Sequence, residues 1–197
     1  MSAAPPGAML EAGDGQTPLD PDDAQGLRLD IGTRRELNDA EELNIQAGVR
    51  WGQRRARREN PLDLVFAREL HRRMFGDVWR WAGTFRTRGT NIGVDAAHIA
   101  TAMQQLIDDA NYWIESSVYP DEELFARFHH RLVQIHCFPN GNGRHARALT
   151  DLAIAKHGRP AFGWGASFGA AARAEYLASL READAGDFAR LIAFVRH

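Results

Sequence analysis

The chain is short of lysine, cysteine and long apolar runs. Lys156 is the one lysine among 24 Lys and Arg residues, so arginine carries nearly all of the positive charge. With 26 Asp and Glu the formal net charge is −2, which leaves no overall electrostatic footprint for nucleic acid. Cys137 is the only cysteine, which excludes an internal disulfide and fits a reducing compartment. No apolar stretch reaches the roughly 18 residues of a membrane helix. The N-terminus lacks the basic start and apolar core of a secretory signal. The expectation is a soluble cytoplasmic protein with no membrane partner. No internal repeat is present, and 197 residues suit a single domain with a sizeable core.

What is there reads as helix. Residues 1–27 are rich in Gly, Pro, Ala and Asp and suggest an extended arm, leaving 28–197 as one domain. Thr33-Arg34-Arg35-Glu36 has the spacing of a capping box. Ala40, Leu43, Ala47 and Trp51 follow at helical intervals, to about Arg58, and Asn60-Pro61 ends the helix. Val65, Phe66, Leu70 and Met74 form the stripe of a second helix, stopped at Gly76. Thr84 to Val94 mixes β-branched residues with glycine, which predicts a small β-hairpin. Ile99, Met103, Leu106, Ile107 and Ala110 share a face in a third long helix. Pro120 and the acids after it open another, with Leu124, Phe125, Phe128, Leu132 and Ile135 buried. A helix from about Gly143 to His157 and two shorter ones near 169–182 and 187–196 complete an all-α domain with one hairpin.

The chemistry concentrates in His136-Cys137-Phe138-Pro139-Asn140-Gly141-Asn142-Gly143-Arg144-His145-Ala146-Arg147. An imidazole, the side chain whose ordinary pKa suits proton removal near neutrality, stands directly before a glycine turn. Gly141, Asn142 and Gly143 let backbone N–H groups approach an anion at the start of a helix. Arg144 and Arg147 add planar forks of donors from one helical face. The combination equips the chain to hold a polyphosphate beside a general base. Cys137 is a poor nucleophile candidate, because neighbouring helical residues do not face each other. His129 and His130 show no metal-ligand pattern and read as packing or surface residues. The run Arg50, Arg54, Arg55, Arg57, Arg58 reads as a solvated face, so nucleic acid is not an expected partner.

These residues resemble the signature of Fic (Fido-fold) proteins, H-x-F-x-[D/E]-G-N-G-R-x-x-R. All fixed positions match except Asn140, where the family has a carboxylate. Trp81-Ala82-Gly83, Arg86-Thr87 and Asn91-Ile92 resemble the family's upstream segment leading into its flap. The resemblance covers about residues 60–160. Asn140 and the run Thr17-Pro18-Leu19-Asp20-Pro21 further resemble the branch called mobile mystery protein B.

The resemblance implies a helical Fic fold with a small β-hairpin flap, and transfer of AMP or another nucleotide moiety from a nucleoside triphosphate to a Ser, Thr or Tyr hydroxyl of a target protein. It implies His136 as base; Asn140, Gly141, Asn142, Gly143, Arg144 and Arg147 around the phosphates of ATP; and Thr90, Asn91, Ile92 and Gly93 as the flap that docks the target. It also implies Mg²⁺ at position 140. Asparagine offers only a neutral carbonyl oxygen there, so the metal is expected to be weakly bound or held by phosphate. The family's inhibitory motif is absent; Glu36 and Glu42, on the N-terminal helix, are the candidates for its glutamate, and both read rather as surface carboxylates. The rival expectation is a weakly active or inactive nucleotide- or protein-binding module, as a toxin–antitoxin or mobile-element component with a helix-turn-helix or antitoxin-like partner.

Overall fold

A capping box starts the first long helix. Thr33 Oγ1 accepts from the Glu36 N–H at 3.2 Å, and Glu36 Oε2 accepts from the Thr33 N–H at 2.9 Å. The computed structural model describes residues 21–197. Its helices are α1 (Pro21–Ala24), α2 (Arg34–Ala56), α3 (Leu64–Phe75), α4 (Ile99–Glu115), α5 (Asp121–Ile135), α6 (Asn142–Lys156), α7 (Ala172–Asp184) and α8 (Ala189–Arg196). α5 and α6 form a central pair. α2 and α3 pack together and against α6, α4 lies beside α5, and the α7–α8 pair closes against α5. Phe66, Leu70, Met74, Met103, Phe128, Leu132, Phe138, Leu149 and Ile154 belong to the main core. A smaller core joins Ala126 of α5 to Ala183, Leu191, Phe194 and Val195. Each such large side chain contributes roughly 1.5–3 kcal/mol through burial.

The face of α2 turned inward differs from its apolar stripe. Leu43 is 69% exposed, and Val65 of α3 is 75% exposed. The buried residues of α2 are Leu37, Glu41, Asn44, Gly48, Gly52 and Ala56. The reason is close approach. A Cβ on Gly48 would sit 2.5 Å from the Met74 backbone nitrogen, and one on Gly52 would meet Leu152 and Leu70. Helix α2 lies on α3 through Gly48 and through one buried polar residue, Asn44, that finds partners there. Asn44 donates to the Arg73 carbonyl at 3.0 Å and accepts from the Asp77 N–H at 3.0 Å.

Two further expectations change. The arm predicted over 1–27 falls mostly outside the described residues, as does all but the last residue of Thr17-Pro18-Leu19-Asp20-Pro21. Residues 21–27 are docked, not extended. Ala24 is buried, the Trp81 indole donates to the Asp23 carbonyl, and Leu27 forms an isolated antiparallel bridge with Trp79. The predicted hairpin over 84–94 is instead an irregular loop, and the described residues contain no strand beyond that bridge. Its backbone donors are used elsewhere. Arg86 N–H donates to the Cys137 carbonyl at 3.0 Å and Val94 N–H to the Ile135 carbonyl at 3.3 Å. These two backbone bonds lace the loop to the end of α5 in place of a hairpin ladder.

Candidate active site

His136 ends α5 in the left-handed region, at φ 52° and ψ 58°. That conformation costs a non-glycine residue roughly 1–2 kcal/mol, so its surroundings must hold it. Arg86 does so: its Nε donates to the His136 carbonyl at 2.7 Å, Nη1 to the Arg88 carbonyl at 2.7 Å, and Nη2 to the Val94 carbonyl. One buried guanidinium ties the base to both limbs of the 84–94 loop. Gly93, at φ +105°, lies directly against His136; a Cβ there would come within 2.8 Å of the His136 Cβ. Thr90, Asn91 and Ile92 are exposed at the tip, and Arg88 pairs with Asp22 of α1 at 2.6 Å.

The His136 ring is buried, yet neither ring nitrogen has a hydrogen-bond partner. Burial first, and the nearby Arg86 charge second, pull its pKa down to about 4. The imidazole is therefore neutral near pH 7 and free to accept a proton. Its neighbour Cys137 is not a competing nucleophile, because burial pushes the thiol up to about 12.

The turn after His136 is built from both ends. Asn142 accepts from the Phe138 N–H and donates to the Phe138 carbonyl, each at 2.8 Å. Its side chain is thus committed to closing the loop. Gly141, at φ +77°, is the N-cap of α6, and a Cβ on it would collide with the Phe75 ring at 2.5 Å. Gly143 differs: a Cβ there meets nothing within 4 Å, so the fold itself does not demand glycine. Its bareness leaves clearance at the helix mouth. No side chain caps α6, which leaves first-turn N–H groups and the positive end of the helix dipole for an anion.

Asn140 turns its Oδ1 onto the Gly141 N–H at 2.6 Å. That places an oxygen of the chain on a donor of the nest. The same atom is the one the sequence suggested for a metal. Among the described residues, no group of three or more His, Cys, Asp or Glu residues could hold a metal ion. The donors at this site do not, among the described residues, amount to a Mg²⁺ cage.

The two arginines diverge. Arg144 Nη1 pairs with Glu41 Oε2 at 2.6 Å, and its guanidinium lies over the Phe75 ring at 5.0 Å. Arg147 turns the other way, over Tyr176 at 4.7 Å and Trp164 at 5.4 Å. Trp164 Nε1 donates to Asp151 at 2.8 Å; burial nevertheless raises that carboxyl to about 6. Tyr176 also meets His129 at 2.8 Å, and His130 meets Asp184 at 2.8 Å, so both histidines are packing residues.

Sequence reasoning passed over Glu41, Trp164 and Tyr176, and gave Arg86 no role beyond its place in the upstream segment. Glu41 stood next to the residue singled out: Glu42 is exposed and bonds only Gln46, and Glu36 serves the capping box. The signal that could have found Glu41 is its register. It shares the inward face with Asn44, Gly48 and Gly52.

Residues 61–154 match the model of the Fic/DOC family. The chain carries a Fic/DOC domain. It is 32% identical over 132 residues to the protein adenylyltransferase fic-1 of Caenorhabditis elegans, a match covering 64% of this chain and 25% of that protein. The chain thus spans about a quarter of the length of the curated relatives it matches. A solved structure of Fic-1 from the same organism superposes with a TM-score of 0.64 at 27% identity, covering 87% of this chain and 51% of that one. The fold also matches the BepC protein of Bartonella tribocorum, a VirB-translocated effector solved with bound AMPPNP, at a TM-score of 0.65 and 18% identity over 93% of each chain.

Proposed function

We propose that this protein transfers AMP from ATP to a hydroxyl side chain of a target protein. The observation that carries the reading is the buried, neutral His136 with both ring nitrogens unpartnered, beside the uncapped start of α6. The relatives named as adenylyltransferases and the AMPPNP-bound neighbour support it.

In this reaction His136 takes the proton of a Ser, Thr or Tyr hydroxyl. The oxygen forms a bond to the α-phosphorus of ATP. The bond from that phosphorus to the bridging oxygen breaks, and pyrophosphate leaves with the electron pair. The first-turn amides of α6, with Gly141 and Gly143, cradle the phosphates. Arg144, and Arg147 once it turns away from Tyr176 and Trp164, offset the charge that grows on the leaving group. The triphosphate must displace Glu41 from Arg144 and Asn140 Oδ1 from the Gly141 N–H. Its own charge raises the pKa of His136 toward the operating pH. Mg²⁺ would come held by phosphate and water, with Asn140 Oδ1 as the ligand from this chain, neutralising phosphate charge. Thr90, Asn91, Ile92 and Gly93 place the target.

The proposal extends to a cytoplasmic protein of the mobile mystery protein B branch, working beside a helix-turn-helix or antitoxin-like partner. The Glu41–Arg144 ion pair favours a second reading, a nucleotide-binding module with little turnover until such a partner opens it. Incubation with α-labelled ATP and lysate separates the two. Wild type should label a protein band. His136→Ala should abolish labelling while ATP affinity stays within a few-fold by calorimetry. Full transfer by the mutant would remove His136 from the mechanism.

A further inference from the structure

His71 of α3 is fully buried and belongs to none of the roles above. Both of its ring nitrogens are occupied, and by segments that are remote in sequence. The Gly83 N–H donates to Nδ1 at 2.9 Å, and Nε2 stands 3.1 Å from the Asn140 carbonyl oxygen. An amide N–H can only donate and a carbonyl can only accept. The ring is therefore the neutral tautomer with its proton on Nε2. It cannot rotate freely. Phe138 stacks on it with centroids 3.6 Å apart, and Phe75 and His145 lie 4.7 and 5.5 Å away.

The two bonds end at the two segments that frame the candidate site. Gly83 begins the segment that leads into the 84–94 loop. Asn140 precedes the α6 nest. Across a trans peptide the C=O and the following N–H point in opposite directions. Holding the Asn140 carbonyl against His71 therefore turns the Gly141 N–H the other way, where it meets Asn140 Oδ1. We infer that His71 is a positioning residue that sets the nest amide through Asn140 and the base of the target loop through Gly83. This rests on the adenylyl-transfer reading for its consequence, but not for its geometry.

The test splits the two bonds. His71→Asn keeps an acceptor near the Nδ1 position and loses the donor to Asn140. His71→Gln keeps a donor near Nε2 and loses the acceptor for Gly83. Deuterium uptake of the full-length chain should rise over 140–143 in His71→Asn and over 83–94 in His71→Gln, with the other segment at wild-type levels. ATP affinity should fall about tenfold in His71→Asn and stay within about twofold in His71→Gln. Label transfer at saturating ATP should fall in His71→Gln. A thermal melt reports overall stability. Equal changes in both segments and in ATP affinity for both variants, tracking the loss of melting temperature, would overturn the inference in favour of simple packing. Wild-type levels throughout would overturn it as well. Failure of the wild type to bind ATP or transfer label would sink the transfer reading instead, and the exchange pattern would still decide His71.

Discussion

Glu41 Oε2 lies 2.6 Å from Arg144 Nη1, across the packing of α2 on α6, while the other oxygen of the same carboxylate accepts from the Trp79 indole at 2.7 Å. An arginine at the start of α6 thus already holds an anion, and that anion is covalently part of the chain. The pair is only half-buried on the arginine side, at 45% exposure, so its own contribution to stability is modest. Its consequence for ligands is larger, since any phosphate must compete with an internal carboxylate.

Glu41→Gln removes the charge and keeps an oxygen for Trp79. ATP affinity should tighten about tenfold, or about 1.4 kcal/mol, with little change in melting temperature. Calorimetry at low ionic strength reads this directly. Unchanged or weaker ATP binding would mean that Arg144 faces away from the nucleotide.

Asn140→Asp should lower the Mg²⁺ concentration giving half-maximal transfer. The carboxylate restores a hard anionic oxygen that a magnesium ion prefers to an amide carbonyl. It also keeps an acceptor for the Gly141 N–H, so the turn is not disturbed. A magnesium titration of label transfer checks it, and an equal or higher requirement would detach this position from metal binding.

Acid should unfold the protein through its interior histidines. Burial holds His129 at about 3, His136 and His145 at about 4, and His71 well below the ordinary value of 6.5. In each case the unfolded chain binds the proton more readily. Stability is therefore fully present above pH 6.5 and falls as pH drops from there toward the folded values, by on the order of 1 kcal/mol per pH unit for each such histidine. Asp151 acts oppositely between about 6 and 3.8, because its carboxyl is raised by burial. Four histidines outweigh one aspartate. Denaturant midpoints should decline steeply between pH 6.5 and 4.5, and a flat profile across that range would contradict the burial of these rings.

The helices were legible because their apolar stripes repeat over several turns, and because Thr33-Glu36, Gly76 and Pro120 mark ends by local chemistry. The motif from His136 to Arg147 was legible for the same local reason. What escaped was set by tertiary contact. Leu43 looked like core, but glycines let α2 approach α3 by a different face. That face carries Glu41 to Arg144. Thr84 to Val94 had strand-like composition, but its donors found the carbonyls of Ile135 and Cys137. Arg86 is one arginine among many in the sequence, and only the fold shows its three carbonyl partners. The Asn142 side chain closes the turn on Phe138, which its sequence position did not show, while its backbone N–H stays in the first turn of α6.

The last prediction concerns the contact between the loop and the base. Gly93 sits at φ +105°, and a Cβ there would meet Arg86 Nη2 at 2.7 Å, the His136 Cβ at 2.8 Å and the Ile135 carbonyl at 3.1 Å. Two of those atoms belong to the end of α5, which cannot give way without moving His136. Gly93→Val must therefore lift the loop off the base, and its backbone conformation is also strained in a β-branched residue. The nest at the start of α6 is held separately, by Asn142 on Phe138 and by Gly141 on Phe75. ATP affinity should thus stay within about threefold of wild type, while label transfer to the target falls by more than tenfold. Calorimetry and the radiolabel gel measure the two. A parallel loss of both would make the loop a wall of the nucleotide pocket, and undiminished transfer would show that target docking does not depend on its seating against His136.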